Sequence, residues 1–108
     1  MKQQRMLPTV FYADTEAQVV FGETCPQPQF LLDSEHFKVS LVGLEAGQQI
    51  PVHAAAMALY HFLEGSGTMT VNEQQYPVTP GATLIALPGA QRGMHADTRL
   101  VFLAAESA

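Results

Sequence analysis

The sequence is poor in the features that most function classes depend on. It has one cysteine, Cys25, among 108 residues, so no internal disulfide can form, and a reducing compartment suits it. Basic residues are few and scattered: Lys2, Arg5, Lys38, Arg92 and Arg99 stand against ten acidic ones, for a formal charge of −5. No basic stripe exists to neutralise phosphates, which argues against a nucleic-acid partner. No apolar run approaches the roughly 20 residues of a membrane span. The start, MKQQRMLPTVFYADTE, has a positive flank without the continuous apolar stretch of a secretory signal. These absences together predict a soluble cytoplasmic protein with neither nucleic acid nor membrane as partner. Nucleotide-binding loops are missing too, since GSGTMT runs into a strand pattern instead of opening a helix. Cys25 has His36 eleven residues on, but CPQPQFLLDSEH carries no recognised nucleophile pattern, so we assign no catalytic residue.

No sustained 3.6-residue apolar stripe is found either, whereas period-two alternation is frequent. In FKVSLVGLEAG, residues 37–47, Phe37, Val39 and Leu41 alternate with Lys38 and Ser40. ALYHFLEG, GTMTV, QQYPV, ATLIAL and RLVFLA continue the pattern, broken at Gly65, at Asn72-Glu73 and at Thr79-Pro80-Gly81. The pattern predicts one all-β domain, a barrel or sandwich. Residues 1–36 hold two further β-prone segments, TVFYA and QVVFG, and a proline-interrupted loop. Apolar edges of this kind are often covered by a second chain, so residues 1–36 are expected to join a homodimer interface and residues 37–105 to form the barrel.

The glycine spacing is more specific. Gly47 is followed after five residues by His53, Gly65 closes the next strand, and Gly81 is followed after five residues by Leu87-Pro88-Gly89. Over roughly residues 38–104 this frame resembles the two motifs of the cupin family, of the small single-domain RmlC-like kind. The resemblance implies a jelly-roll barrel, or double-stranded β-helix, whose inward side chains line a pocket at one mouth.

The family's metal ligands carry over poorly. Its first histidine falls on His53, its second on Ala55, its glutamate on Ala58 (or, counted forward, on Leu59 or Tyr60), and the histidine of its second motif on Arg92. One ligand of four remains, where a catalytic metal generally needs about three. A guanidinium offers no lone pair, and a divalent cation about 4 Å from it would meet on the order of 8 kcal/mol of repulsion at an effective dielectric of ~20. The sequence therefore predicts no cofactor and a degenerate metal site. An inward Arg92 would instead favour an anionic or polar ligand, with His53 as a second donor that weakens as its imidazole loses its proton. Arg92 could equally point to solvent or pair with Asp97.

The expected ligand-binding set is His53, Arg92, Tyr60, Phe62 and Met94, with Met57 and Leu84 as further candidates for the wall. A rival arrangement gathers His53, His61 and His95 around a divalent transition metal, as in a cupin dioxygenase, isomerase or decarboxylase. Strand parity opposes it: if Ala58 and Arg92 face inward, His61 and His95 face outward. His36 has no counterpart in the family motifs and is expected in solvent. Whether the protein is an enzyme stays open at this stage, as does a purely structural dimeric subunit.

Overall fold

The computed structural model describes residues 8–107; the first seven residues of the expected 1–36 segment, and Ala108, lie outside it. Among the described residues nine strands form: β1 (Gln29–Asp33), β2 (Phe37–Leu44), β3 (Gln49–Ala54), β4 (Ala58–Glu64), β5 (Gly67–Val71), β6 (Gln74–Val78), β7 (Thr83–Ala86), β8 (Gln91–Ala96) and β9 (Leu100–Ser107). They pair antiparallel in two sheets, one ordered β1-β2-β9-β4-β7 and the other β3-β8-β5-β6. The alternating segments of the sequence are β2, β4, β5, β6, β7 and β9. Strand β4 shows the reason for the pattern most directly: Ala58, Tyr60 and Phe62 are buried while Leu59, His61 and Leu63 are not.

Local chemistry places the breaks. Asn72 and Glu73 both take positive φ, 48° and 72°, the conformation of a two-residue hairpin turn whose twist matches the flanking strands. Gly65 has φ +82°, and a Cβ there would stand 1.8 Å from the Arg99 carbonyl oxygen, so only glycine fits this corner. Pro51 and Pro77 lie in β3 and β6, the two edge strands of the four-stranded sheet, where a missing N–H costs no ladder bond.

Between the sheets lies one core, with Val42, Leu44, Phe62, Met69, Ala96, Leu100 and Phe102 among its members. The Phe62 and Phe102 rings meet tilted by 43° with their centroids 5.5 Å apart, within the range of favourable aromatic pairs.

The amino-terminal segment differs from expectation. TVFYA and QVVFG form no strand; the chain there is irregular, with a short 3-10 helix at Thr15–Gln18. It folds back over the outer face of its own five-stranded sheet. Side chains of Val19 and Phe21 lie over Gly43, where an added Cβ would meet them at 2.7–2.9 Å. Val10, Tyr12 and Thr15 share a cleft with Leu31, Val39 and Leu103. Beneath this cover Leu41 and Val101 are fully buried although they face away from the core between the sheets. Burial against its own sheet outweighs the segment's β propensity, a preference that depends strongly on context. The edge position falls instead to β1, which the sequence placed in a loop because Pro26 and Pro28 precede it.

Polar contacts pin this strap. Gln48 Nε2 donates to the Gly22 carbonyl at 2.8 Å, and the Tyr12 hydroxyl donates to the Leu31 carbonyl at 2.8 Å. Arg99 stacks on the Phe21 ring at 4.1 Å while its Nε donates to Glu45 at 2.8 Å. Hydrogen bonding to Arg99 holds the Glu45 carboxyl below the usual carboxylate range. At the strap's other end a hydrogen bond with Glu64 raises the Glu16 carboxyl.

The two contacts respond to pH with opposite sign. The Glu45–Arg99 contribution is present above the unfolded carboxylate pKa and lost as pH falls through the lowered folded value. The Glu16–Glu64 contribution is present below the unfolded value and lost as pH rises through the raised one. Hydrogen exchange should therefore find residues 19–22 loosening in acid and residues 14–18 loosening toward neutral pH. Arg99→Ala should speed exchange in 19–22 several-fold at neutral pH and leave β4 and β9 protected. Uniform exchange along the strap at both pH values would contradict this picture.

Candidate functional site

A cavity of about 200 Å³ opens at one end of the barrel, between the inner faces of the two sheets. Register arranges its walls in layers. On the five-stranded sheet Lys38 pairs with Glu106, Ser40 with Ala104, and Val42 with Phe102, so charged, small and apolar pairs follow one another inward. Strand β4 adds Ala58, Tyr60 and Phe62 at the same three levels. Across the cavity His53 pairs with Arg92 at the outer level, and Ile50 with Met94 below it, where Met69 of β5 also pairs with Met94. Successive layers are about 7 Å apart, twice the rise of a strand residue.

Four of the five expected ligand-binding residues line this cavity: His53, Tyr60, Arg92 and Met94. Phe62 does not. It is fully buried in the core behind Phe102, whose ring covers it from the cavity. Leu84 lies in a separate cleft with Val71 and Val78, and Met57 is exposed beyond the mouth. The sequence missed Phe30, Lys38, Ser40 and Glu106, all of which line the cavity. Alternation in FKVSL does place Lys38 and Ser40 on one face, but it cannot tell which face looks inward.

Arg92 faces inward, as the motif count implies, and its partners are the barrel's own backbone. It is 1 % exposed, the largest fully buried side chain among the described residues. Nε donates to the Ala90 carbonyl at 3.1 Å. One terminal nitrogen donates to the Ala56 carbonyl at 2.6 Å and to the Tyr60 hydroxyl at 3.4 Å; the other donates to the carbonyls of Ala55 and Leu87, both at 3.1 Å. A guanidinium has five N–H groups, and here each has an acceptor. Asp97, the acidic partner considered from sequence, pairs with His95 instead, at 3.2 Å.

His53 lines the cavity opposite Lys38, with Nδ1 at 2.9 Å from the Pro51 carbonyl oxygen. A carbonyl only accepts, so Nδ1 carries the proton and the neutral ring presents Nε2 as an acceptor. His61 and His95, the other two histidines of the rival arrangement, point outward, as strand parity requires. His61 Nδ1 contacts the Thr83 hydroxyl at 2.7 Å, and His95 is half exposed beside Asp97.

The metal that the family motif would hold does not fit these residues. Among the described residues no three His, Cys, Asp or Glu side chains converge as a metal site would require. His53, His61 and His95 lie on different faces, and the inward positions are filled by Ala58 and the guanidinium.

The architecture has many counterparts among solved structures. An RmlC-like cupin from Desulfovibrio desulfuricans superposes with a TM-score of 0.74 at 25% identity, over 99% of this chain and 96% of that one. The chain has the cupin fold. A Klebsiella pneumoniae protein with a double-stranded β-helix domain gives 0.81 at 17% identity, covering 93% and 90% of the two chains. A conserved Streptococcus pyogenes protein of unknown function gives 0.81 at 18%, covering 99% and 95%. No family model and no curated protein matches the sequence. These similarities carry the cupin architecture and leave the chemistry to the residues of the site.

The donor count at Arg92 makes a testable point about stability. Arg92→Lys keeps the charge but offers three donors from a single nitrogen that cannot span the same acceptors, and each buried carbonyl left without a donor costs about 1–3 kcal/mol. Urea unfolding should show Arg92→Lys less stable by about 2–4 kcal/mol. A loss under about 0.5 kcal/mol would mean that the charge, not the fork, is what the mouth needs.

Proposed function

We propose that this cupin is a metal-free binding protein whose barrel cavity takes a small polar or anionic molecule. The observation that carries this reading is the saturated Arg92 guanidinium, which stands at a ligand position of the family motif and ties the mouth together without an ion. Its charge is met only by neutral acceptors, so the cavity beside it favours negative charge over positive. Apolar walls with a few polar groups at the rim are the usual composition of a small-molecule site. At about 200 Å³ the space suits a molecule of roughly ten non-hydrogen atoms or fewer, since a water takes about 30 Å³ in the liquid and bonded atoms pack more closely. A cytoplasmic metabolite is the kind of ligand this implies.

Binding is the activity we assign to this cavity. Calorimetry in the presence of EDTA with a panel of small carboxylates should find ligands whose binding is lost in Ala104→Phe, which fills the cavity at its middle layer. Thermal unfolding should rise with such a ligand, by an amount equivalent to about 2.7 kcal/mol at a hundred times Kd. Binding that needs added manganese, iron, nickel or zinc would overturn the metal-free reading.

We further propose that two chains pair. The strap covers its own sheet yet leaves Phe11 81% and Val10 59% exposed, and apolar side chains of this size at one surface suit an isologous contact. Sedimentation should give twice the 11.7 kDa chain mass, and Phe11→Glu should return the monomer. A monomeric wild type at micromolar concentration would exclude it.

A further inference from the structure

The charged group that reads the ligand is a different cation from the one the family motif points to. All five Arg92 donors are spent on the barrel itself, so Arg92 has no N–H left to bind a ligand directly. The opposite wall has the reverse character. The Ser40 hydroxyl and the Glu106 carboxylate have no hydrogen-bond or ion-pair partner among the described residues, and both line the cavity. Lys38 lines it too, held only by a 3.7 Å contact with Asp33, both side chains about half exposed, and by the Phe30 ring at 6.0 Å. An exposed pair at that distance holds a lysine weakly.

Register sets the spacing of these groups. Lys38 and Glu106 are cross-strand partners, and Ser40 follows Lys38 on the same face. Side chains of directly opposed residues start about 5 Å apart, so one small ligand end can touch both charges. A lone carboxylate would satisfy Lys38 and be repelled by Glu106. A carboxylate with a hydrogen-bond donor on the adjacent carbon satisfies both. Below this pair the wall passes through Ser40 to Val42, Phe102 and Met94, with no charge in the deep layer. The ligand's remaining end must therefore be apolar.

We propose that the cavity binds a small carboxylic acid with a hydroxyl or ammonium group beside the carboxylate and a short hydrocarbon tail, bound tail inward. The carboxylate sits on Lys38 and Ser40, the neighbouring donor on Glu106, and the tail against Val42, Phe102 and Met94. This assignment rests on the cavity being the binding site.

The test uses leucine, its α-hydroxy analogue, isocaproate, which lacks the donor, and leucinamide, which lacks the carboxylate, each titrated by calorimetry into the wild type, Lys38→Met, Glu106→Gln and Ala104→Phe. Leucine, its hydroxy analogue or both should bind, and leucinamide about tenfold more weakly or not at all. Comparing the first two distinguishes an amino acid from a hydroxy acid. Lys38→Met should erase the preference for the carboxylate, and Glu106→Gln the preference over isocaproate. Binding of all four molecules alike, unchanged by Lys38→Met but abolished by Ala104→Phe, would overturn the proposal and leave the cavity as the site. Binding unaffected by Ala104→Phe would remove both.

Discussion

A single buried guanidinium joins three stretches of chain that otherwise meet only at the barrel's open end. Arg92 on β8 holds the Ala55–Ala56 turn between β3 and β4, the Leu87–Ala90 turn before β8, and Tyr60 on β4. Removing an arginine from water costs several kcal/mol, and this cost is offset only when every N–H finds an acceptor. That requirement fixes the backbone: the carbonyls of residues 55, 56, 87 and 90 must all turn inward. The Gly89 amide strengthens the arrangement by donating to the same Ala55 carbonyl at 2.9 Å. A metal ion would cross-link side chains at this end and could leave. The guanidinium cross-links main chain and is part of the polypeptide.

How far the sequence reveals this depends on which atoms take part. The glycine frame from Gly47 to Gly89 marks backbone corners, and all four of its glycines take positive φ, so a spacing of residues maps directly onto a spacing of turns. The inward direction of Arg92 comes from the motif count, and the outward direction of His61 and His95 then follows from strand parity, which is a property of the pleat. The acceptors of Arg92 are different. Apart from the Tyr60 hydroxyl they are the carbonyls of three alanines and a leucine, and every residue has a carbonyl, so no side-chain pattern announces them. The reading that a buried Arg92 must find an anion considered side chains and ligands as partners; the backbone supplies the acceptors instead.

The strap and the cavity wall were hidden for a second reason, which is long range in sequence. TVFYA and QVVFG have the composition of strands, but their conformation is decided by Gly43 and its neighbours, which open a shallow face for Val19 and Phe21. Phe62 shares a face with Tyr60, which places it on the inner side of the sheet. Depth is another coordinate. Only the pairing of β9 with both β2 and β4 shows that Phe62 and Phe102 occupy the lowest layer, where Phe102 closes the cavity and Phe62 lies beneath it.

The same pairing accounts for the polarity of the cavity. Strand β9 runs beside β2 without a register shift, so Lys38 near the start of β2 meets Glu106 near the end of β9, and the apolar end of β2 meets the apolar start of β9. Antiparallel pairing of two strands with opposed polarity gradients thus builds one wall graded from charge at the mouth to hydrocarbon at the base. A shift of one residue would turn Lys38 and Glu106 to opposite faces and destroy the gradient. With the mouth braced by Arg92 from the other sheet, the graded wall is held facing a fixed partner, and the space between them is set by the fold before any ligand arrives.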